Sequence, residues 1–582
     1  MNDGSRLYPA VEYDDIRQLM EAAFLEHADR TAFILKRKTA AGIEYESISY
    51  ERFGSDIRAL ATALIQRGYA GKRIAMIGKN SYPWIAGFFA GLLGGLIVVP
   101  LDRGLPQEEI VSCLRRSRTD IVLYDAEHSE QIEAIRQHGD LNVNLYIPME
   151  RCGEATAFQD LVEEGMLLRS QPSESCEAYD RLHIDPDIMS LILFTSGTTS
   201  ASKAVMLSQR NIASNIYALT QCEAIYPTDV NLAFLPFHHT FSSTGITFIL
   251  TRGATNVFCD GLKYIAQNLK EYKVSVFICV PLILEAMYKK IFLEAKKQGK
   301  DALLCRMLKI SSALNRAGID IRRKLFRSVI DQLGGHLRFA ISGAAAISPE
   351  VAKGFNDLGI LTVQGYGLTE TSPVLTAENA KNIRTGSVGI PMSNVEIEIR
   401  DPDEHGVGEV VARGPNVMLG YYEDPGETDK VLRDGWFYTG DLGYIDRDGF
   451  LFLSGRKKNV IVQKSGKNVF PEEIELLLNR LDYLDESMVF GWEKGDDLVV
   501  SAKLVYDEAT VLDLLPQYKG SDGLDVERFR THVQKDIDDI NASLPVHKQI
   551  RRLILGDEPT VKTTTAKIKR HEEIKKIGAF RE

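Results

Sequence analysis

The sequence predicts an α/β protein with a large N-terminal part of several subdomains and a small C-terminal α+β domain. Three observations support this. Helix patterns and short buried-strand patterns alternate through most of the chain, β segments separated by turn residues follow position 386, and mixed α and β patterns return after about 457. A chain of 582 residues also exceeds what one hydrophobic core usually supports. We therefore expect parallel-rich sheets covered by helices, then a β-rich subdomain.

The alternation is clearest near the N-terminus. Phe53, Ile57, Leu60 and Leu64 recur at helical spacing, and Gly68 is placed to end that helix. The stretch "RIAMIG" at 73–78 then reads as a short buried strand.

The segment 84–101 contains eighteen residues without a charge, close to the lower limit for a membrane-spanning helix. Four glycines interrupt it, and "LIVV" precedes Pro100. These features favour a tight buried helix followed by a buried strand. We therefore predict no transmembrane span and leave peripheral membrane contact open.

Composition limits the possible partners and compartment. A net charge of −11 disfavours nonspecific nucleic-acid binding, which needs clustered Lys and Arg. Seven cysteines without a CxxC pair fit reduced thiols, and predict neither a disulfide framework nor a zinc site. The N-terminal residues show no secretory pattern. We expect a cytoplasmic protein without nucleic-acid partners.

One loop carries the first functional signal. The stretch "LILFTSGTTSASKAVMLS" at 191–208 runs from apolar residues into hydroxyl and glycine positions and then reaches Lys203. A Walker P-loop is excluded, because no second glycine stands before that lysine. Two interpretations remain from the loop alone: a solvated Ser/Thr turn, or a cradle of backbone N–H and hydroxyl donors for phosphates.

Four further motifs decide between these interpretations. They are "QGYGLTETSP" at 364–373, "GWFYTGDLGYID" at 435–446, "GRKKNVIVQKSGKNVFPEEIE" at 455–475 and "KTTTAKIKR" at 562–570. In this order and spacing, the five motifs resemble the adenylate-forming (AMP-binding) superfamily over nearly the whole chain. With "LPFHHTF" at 235–241, they are most similar to bacterial long-chain fatty acyl-CoA synthetases.

The resemblance implies an ATP-dependent acid–thiol ligase. A carboxylate, here a fatty acid, attacks the α-phosphate of ATP with Mg²⁺ and gives acyl-AMP and pyrophosphate. The thiolate of coenzyme A then gives acyl-CoA and AMP. Because two anions meet in the first step, positioned cations and hydrogen-bond donors should be the main catalytic device.

The resemblance also assigns the nucleotide site residue by residue. Thr369 and Glu370 contact phosphate, and Glu370 holds Mg²⁺, which favours carboxylate and phosphate oxygens. Tyr366 stacks on adenine, while Asp441 and Arg456 bind the ribose hydroxyls. The remaining cofactor-binding positions are Thr195, Ser196, Gly197, Thr198, Thr199 and Lys203 at the β- and γ-phosphates, Gly343, Ala344 and Ala345 beside the acyl group and adenine, and Gly365 and Gly367. The chain departs from the family pattern at Ser200, Ser202, Ala204 and Ala566.

Three further residues are assigned to the two steps and to the movement between them. Lys567 matches the lysine that bridges the acyl carboxylate and the α-phosphate. Gly466, in "KSGKN", borders the pantetheine tunnel used in the second step. Lys458 falls at the hinge, which sets the domains at 1–457 and 458–582 and implies that the second domain is mobile.

The adjacent histidines of "LPFHHTF" admit a metal pair, a base or pocket lining. In a strand their side chains would point to opposite faces and could not converge on one metal. The resemblance favours His239 lining the acyl and adenylate site, with His238 structural.

Alternative functions remain at this stage. An acyl carrier protein could accept the acyl group, or acyl-AMP could be the product. The resemblance favours coenzyme A, because fatty acyl-AMP ligases carry an insertion after the hinge and 458–466 is compact. We also expect no fused carrier domain after Arg570. The alternative from another functional class is a nucleotide-binding protein without catalytic activity. The presence of Lys567, Asp441 and Glu370 together argues against it.

Overall fold

The computed structural model describes residues 3–40, 42–137, 139, 141–151, 153, 155–171, 174–195, 202–464, 467–494, 497–562 and 568–579. These residues form a nine-stranded and a seven-stranded sheet, both mixed, followed by sheets of five, two and three strands. The prediction of an α/β protein with parallel-rich sheets, a β-rich subdomain and an α+β C-terminal region is confirmed.

The strands, numbered in chain order, are β1 (Thr31–Thr39), β2 (Gly42–Ser49), β3 (Arg73–Ile77), β4 (Ile97–Leu101), β5 (Ile121–Tyr124), β6 (Leu145–Pro148), β7 (Met189–Thr195), β8 (Lys203–Ser208), β9 (Val230–Ala233), β10 (Thr255–Phe258), β11 (Val276–Cys279), β12 (Phe339–Ser342), β13 (Leu361–Gly367), β14 (Val374–Ala377), β15 (Ile390–Pro391), β16 (Glu396–Arg400), β17 (Gly408–Arg413), β18 (Gly420–Tyr421), β19 (Leu432–Arg433), β20 (Trp436–Ile445), β21 (Leu451–Arg456), β22 (Ile461–Val462), β23 (Asn468–Val469), β24 (Glu486–Lys494), β25 (Asp497–Val505) and β26 (Arg552–Gly556).

The α-helices are α1 (Ile16–Glu26), α2 (Tyr50–Gln66), α3 (Tyr82–Leu93), α4 (Gln107–Arg116), α5 (Ser129–Gln137), α6 (Phe158–Arg169), α7 (Glu174–Asp180), α8 (Gln209–Cys222), α9 (Thr240–Thr251), α10 (Ile265–Glu271), α11 (Pro281–Lys297), α12 (Asp301–Arg316), α13 (Arg322–Leu325), α14 (Arg327–Gln332), α15 (Pro349–Leu358), α16 (Pro425–Val431), α17 (Pro471–Leu478), α18 (Glu508–Leu514), α19 (Val526–Ser543) and α20 (Arg570–Ala579).

The uncharged segment 84–101 divides into α3 and β4, as the glycines predicted. The hydroxyl of Ser81 caps the first turn of α3, and every residue of this helix except Pro83 is buried. β4 pairs in parallel with β3 along its full length and with β7 at Val98 and Leu191. Within the described residues, no helix combines the length and the apolar character needed to cross a bilayer.

The nine-stranded sheet positions most of the site. In this sheet the strands β10, β9, β11, β12 and β13 lie side by side in that order, and each pairs with the next in parallel. The carboxyl ends of parallel strands lie at the same edge, where loops can bring distant residues together. β13 ends at Gly367, one residue before the 3-10 turn Thr369–Thr371, and β12 ends directly before Gly343.

The β-rich subdomain contains β16, β17, β19, β20 and β21. β20 and β21 are antiparallel, and the pairing places Asp441 directly opposite Arg456. Further along the chain, a separate hydrophobic cluster lies wholly within 461–550 and surrounds Val500, Leu504 and Phe529. A separate core is consistent with a second domain, but the boundary at 457/458 stays a prediction.

Candidate functional site

The Ser/Thr-rich loop connects the two strands of a hairpin. β7 and β8 are antiparallel, and Thr195 pairs with Lys203 across them. The Thr195 hydroxyl lies 3.4 Å from the carbonyl oxygen of Lys203. Thr195 and Lys203 therefore stand at the two ends of the loop, while Ser196, Gly197, Thr198 and Thr199 lie outside the described residues.

The Lys203 ammonium is held by groups that the motifs did not include. Nζ lies 2.8 Å from Glu427 Oε2, on α16, and 4.6 Å from the centre of the Tyr421 ring. Lys430 also pairs with this carboxylate. Hydrogen bonds from the two lysines lower the pKa of Glu427 to about 2, so it stays ionised at neutral pH.

Tyr421 also contacts Glu370. The Tyr421 hydroxyl donates to Glu370 Oε1 over 2.9 Å, and burial together with the Glu370 carboxylate raises the Tyr421 pKa. The tyrosine therefore stays protonated as a donor at neutral pH. Thr240, the first residue of α9, lies 3.4 Å from the neighbouring Thr369 through their hydroxyl oxygens. Contacts thus run from Lys203 on β8 through Tyr421 to Glu370, and the adjacent Thr369 contacts the start of α9.

A second group of contacts begins at Tyr366 on β13. Its hydroxyl donates to Asp441 Oδ2 over 2.6 Å, and Arg456 Nε lies 2.6 Å from Asp441 Oδ1. Burial and the Asp441 carboxylate raise the pKa of Tyr366. Asp441 itself is buried, whereas Arg456 is partly exposed. Only four positions separate Tyr366 from Glu370, so the two groups of contacts adjoin.

One of the predicted glycine positions is sterically required by nearby backbone, and a second packs closely against an aromatic ring. A Cβ atom on Gly367 would lie 1.8 Å from the Pro373 carbonyl oxygen, and one on Gly343 would lie 2.8 Å from the Phe241 ring. The Gly343 N–H donates to Cys279 O at the end of β11. Ala344, which follows, has a φ of 71°, uncommon for a residue other than glycine. Gly365, inside β13, and Ala345, after β12, complete the predicted positions at these strand ends.

The two histidines do not lie in a strand, so their side chains need not point to opposite faces. His238 lies in a turn after β9 and His239 is the N-cap of α9, so their ring centroids are only 4.0 Å apart. His238 Nε2 lies 3.5 Å from Asp102 Oδ2. Turn geometry replaces the expected alternation, because the chain changes direction before the helix. The role of His239 in the site stays a prediction.

The residues assigned to the second domain are only partly described. Lys458 lies in the 3-10 turn Lys457–Asn459, between β21 and β22. Gly466 and Lys567 lie outside the described residues. β21 ends with Arg456, so the predicted hinge follows the proposed ribose contact by two positions.

Sequence reasoning missed Tyr421, Glu427 and Thr240. Tyr421 and Glu427 belong to "GYYEDPGETD" at 420–429, a polar stretch that carries no separate chemical signal. Thr240 directly follows the two histidines, and its position at a helix start was the available signal. The contacts of all three depend on residues more than fifty positions away.

The site fits Mg²⁺ through one protein carboxylate. Within the described ranges no group of three or more His, Cys, Asp or Glu could hold a metal. A Mg²⁺ bound by one carboxylate, waters and substrate phosphates does not need such a group. Glu370 is half-buried and its Oε1 accepts the Tyr421 hydroxyl, so Oε2 is the carboxylate oxygen that would hold Mg²⁺.

Comparison with known proteins identifies related chains. The model of the AMP-binding enzyme family matches residues 20–422. The chain is 30% identical over 484 residues to long-chain-fatty-acid–CoA ligase 5 of Rattus norvegicus, covering 77% of this chain and 69% of that protein. It is 28% identical over 516 residues to a chloroplastic long-chain-fatty-acid–[acyl-carrier-protein] ligase of Arabidopsis thaliana, covering 77% and 71%.

The fold also matches solved structures. ATP-bound MatB from Rhodopseudomonas palustris superposes with a TM-score of 0.72 and 24% identity, covering 98% of this chain and 100% of that chain. At that identity the likeness establishes the shared fold, including the region beyond the family match.

Proposed function

Because the chain belongs to the AMP-binding enzyme family, we propose that it is an ATP-dependent ligase that converts a long-chain fatty acid to acyl-AMP and then to acyl-CoA. Pyrophosphate and AMP are the other products. The curated relatives that act on long-chain fatty acids support the acid, and they divide between coenzyme A and a carrier protein as acceptor.

One observation supports the nucleotide chemistry best. Lys203, Glu370 and Asp441, which lie on three different parts of the chain, belong to adjoining groups of contacts at the end of β13. They combine a cation for phosphate, a hard carboxylate ligand for Mg²⁺, and a carboxylate acceptor for ribose hydroxyls. A solvated Ser/Thr turn would not require these partners.

The first proposed role belongs to the hairpin loop. Lys203 neutralises charge on the β- and γ-phosphates, with Thr195 and the loop residues as hydrogen-bond donors. Neutralising these oxygens favours pyrophosphate as the leaving group when the acid attacks. For Lys203 to turn toward the triphosphate, its contact with Glu427 must weaken.

The second role belongs to the residues that orient the nucleoside. Asp441 accepts from ribose hydroxyls, Arg456 donates to the same sugar, and the Tyr366 ring stacks on adenine. The Tyr366 hydroxyl and Arg456 fix the carboxylate from two sides, which lowers the cost of ordering it when ATP binds. Glu370 would hold Mg²⁺, which bound there supplies positive charge to the phosphates.

The two half-reactions depend on Lys567 and Lys458, which lie on the smaller domain that we propose at 458–582. Lys567 donates to the acyl carboxylate and the α-phosphate during adenylation, which brings the two anions together. A rotation about Lys458 then exchanges Lys567 for the loop around Gly466, next to which the thiol of coenzyme A enters.

A panel of carboxylates tests this proposal. Acids from acetate to palmitate, together with aryl acids, are incubated with ATP and Mg²⁺, and AMP release is measured with coenzyme A, with an acyl carrier protein, or without acceptor. We expect the highest rate with long-chain acids and coenzyme A. A higher rate with carrier protein would identify the alternative ligase, and no acid-dependent AMP from any arm would reject the proposal.

A further inference from the structure

The helix α12 has an exposed face in which aliphatic and basic side chains alternate. Leu303 and Ile310 are 52% and 50% exposed and lie seven residues apart, and therefore on the same side of the helix. Arg306 and Lys309 are exposed between them. The opposite side buries Leu304, Leu308 and Ser311. Large aliphatic side chains thus remain in solvent although the helix already has a buried face.

The charge around this face is opposite to that of the whole chain. Residues 281–327 contain twelve Lys and Arg and four Asp and Glu, a net charge of +8 in a chain of −11. Two of the four acids are paired locally: Asp320 lies 2.7 Å from Arg322, and Glu294 lies 3.7 Å from Lys297. Positive charge is therefore concentrated on α11 to α14.

The basic residues of the α12 face remain available to a ligand. In the part of the chain that the structure describes, neither Arg306 nor Lys309 forms an ion pair, and no exposed residue of α12 is acidic. Past the end of α12, Ile319 is 53% exposed and Lys324 is also exposed. The mixed apolar and basic character therefore continues beyond the helix.

We propose that this surface, formed by the exposed face of α12 and the turn 317–321, docks on the anionic surface of a lipid bilayer. Lys and Arg attract anionic headgroups, whereas exposed aliphatic side chains gain free energy by entering the headgroup and acyl boundary. A purely electrostatic ligand such as nucleic acid would leave Leu303 and Ile310 in water. The sixteen residues of α12 span about 24 Å, enough to contact several headgroups.

Vesicle sedimentation of the full-length protein tests the proposal without ATP or acid, so its result does not depend on the proposed catalysis. Vesicles contain phosphatidylcholine alone or with phosphatidylglycerol, at low and high salt. The variants are Arg306→Glu with Lys309→Glu, and Leu303→Ser with Ile310→Ser. The matched control is Arg530→Glu with Lys535→Glu, which reverses two exposed charges on α19.

We expect binding to anionic vesicles that high salt weakens. Each basic residue near such a surface strengthens membrane binding roughly fivefold. The Arg306/Lys309 variant should therefore bind anionic vesicles at least about thirtyfold more weakly than the parent protein. The Leu303/Ile310 variant should also bind more weakly, with unchanged circular dichroism and Tm, whereas the α19 control should match the parent protein.

Three results would overturn the assignment. The parent protein fails to sediment with anionic vesicles, or the α19 control loses as much binding as the Arg306/Lys309 variant. The third is that the same face instead binds an acidic acyl carrier protein or a second copy of the chain, detected by titration and light scattering and lost in the α12 variants.

Discussion

Lys203 and Glu427 form an ion pair with Nζ 2.8 Å from Oε2, although 224 positions separate them. The pair joins β8 to the first turn of α16 and places the Lys203 ammonium over the Tyr421 ring. The lysine at the end of the Ser/Thr loop is therefore held by an anion. A triphosphate that binds this loop must compete with that anion.

Replacing Glu427 by Gln should lower the KM for ATP about two- to fivefold, because partly exposed ion pairs contribute at most about 1 kcal/mol. The pKa of Glu427 is lowered to about 2. The stabilising effect of its charge on the folded protein is therefore present above pH 4.5 and lost as the pH falls through 2. The KM effect should therefore be constant from pH 6 to 8. Glu423→Gln, on a neighbouring exposed acid, is the control. A higher KM for Glu427→Gln would mean that the pair positions Lys203 for ATP.

Replacing Asp441 by Asn should raise the KM for ATP about ten- to a hundredfold, since hydrogen bonds to charged groups contribute about 1.5–3 kcal/mol. Tyr366→Phe keeps the ring and removes only the hydroxyl bond to Asp441, so its KM should rise less than about fivefold. Both are measured by initial rates at saturating acid, with Tm as a check on folding. Equal losses in the two variants would contradict ribose binding by Asp441.

The fold could be predicted from local patterns. Residues 84–101 divide at glycines into α3 and β4, and the helix through Phe53 and Leu64 has the predicted spacing. These features depend on residues close in sequence, which determine burial and capping directly. The change to short β segments after 386 also corresponds to the subdomain of β16, β17, β19, β20 and β21.

Side-chain pairing within the site could be predicted much less well. Glu427 is one of 80 acidic residues, and nothing in its local sequence indicates Lys203 as its partner. The Tyr366–Asp441 bond depends on how the β-rich subdomain meets the end of β13. The closeness of the His238 and His239 rings could not be predicted for a related reason, since a turn before α9 replaces the alternation that a strand would impose.

Lys567→Ala should lower the rate of adenylation about 10²–10³-fold, as removal of a preorganised transition-state donor typically does. Thioester formation from supplied acyl-AMP should fall much less, because that step does not require this lysine in our account. The two rates are measured on one preparation, with Lys569→Ala as the neighbouring control. Equal losses in both steps would mean that Lys567 has a structural role.

Lys458→Pro should leave adenylation measurable while thioester formation falls steeply. Hinges absorb large changes in φ and ψ, and proline fixes φ near −65°. Pyrophosphate release and acyl-CoA formation are followed separately in single turnovers, with Lys458→Ala as the control for loss of the side chain. If the proline variant keeps both rates, the hinge at Lys458 and the boundary at 457/458 are wrong.

The most direct test of the central claim is exchange of labelled pyrophosphate into ATP by the parent protein, with Mg²⁺ and without coenzyme A. Reversible formation of acyl-AMP is the only step that this assay requires. We predict exchange that depends on a long-chain fatty acid and is absent when the acid is omitted. Absence of exchange with every acid of the panel, by protein that is folded and binds ATP, would contradict the assignment of the chain as an adenylate-forming ligase.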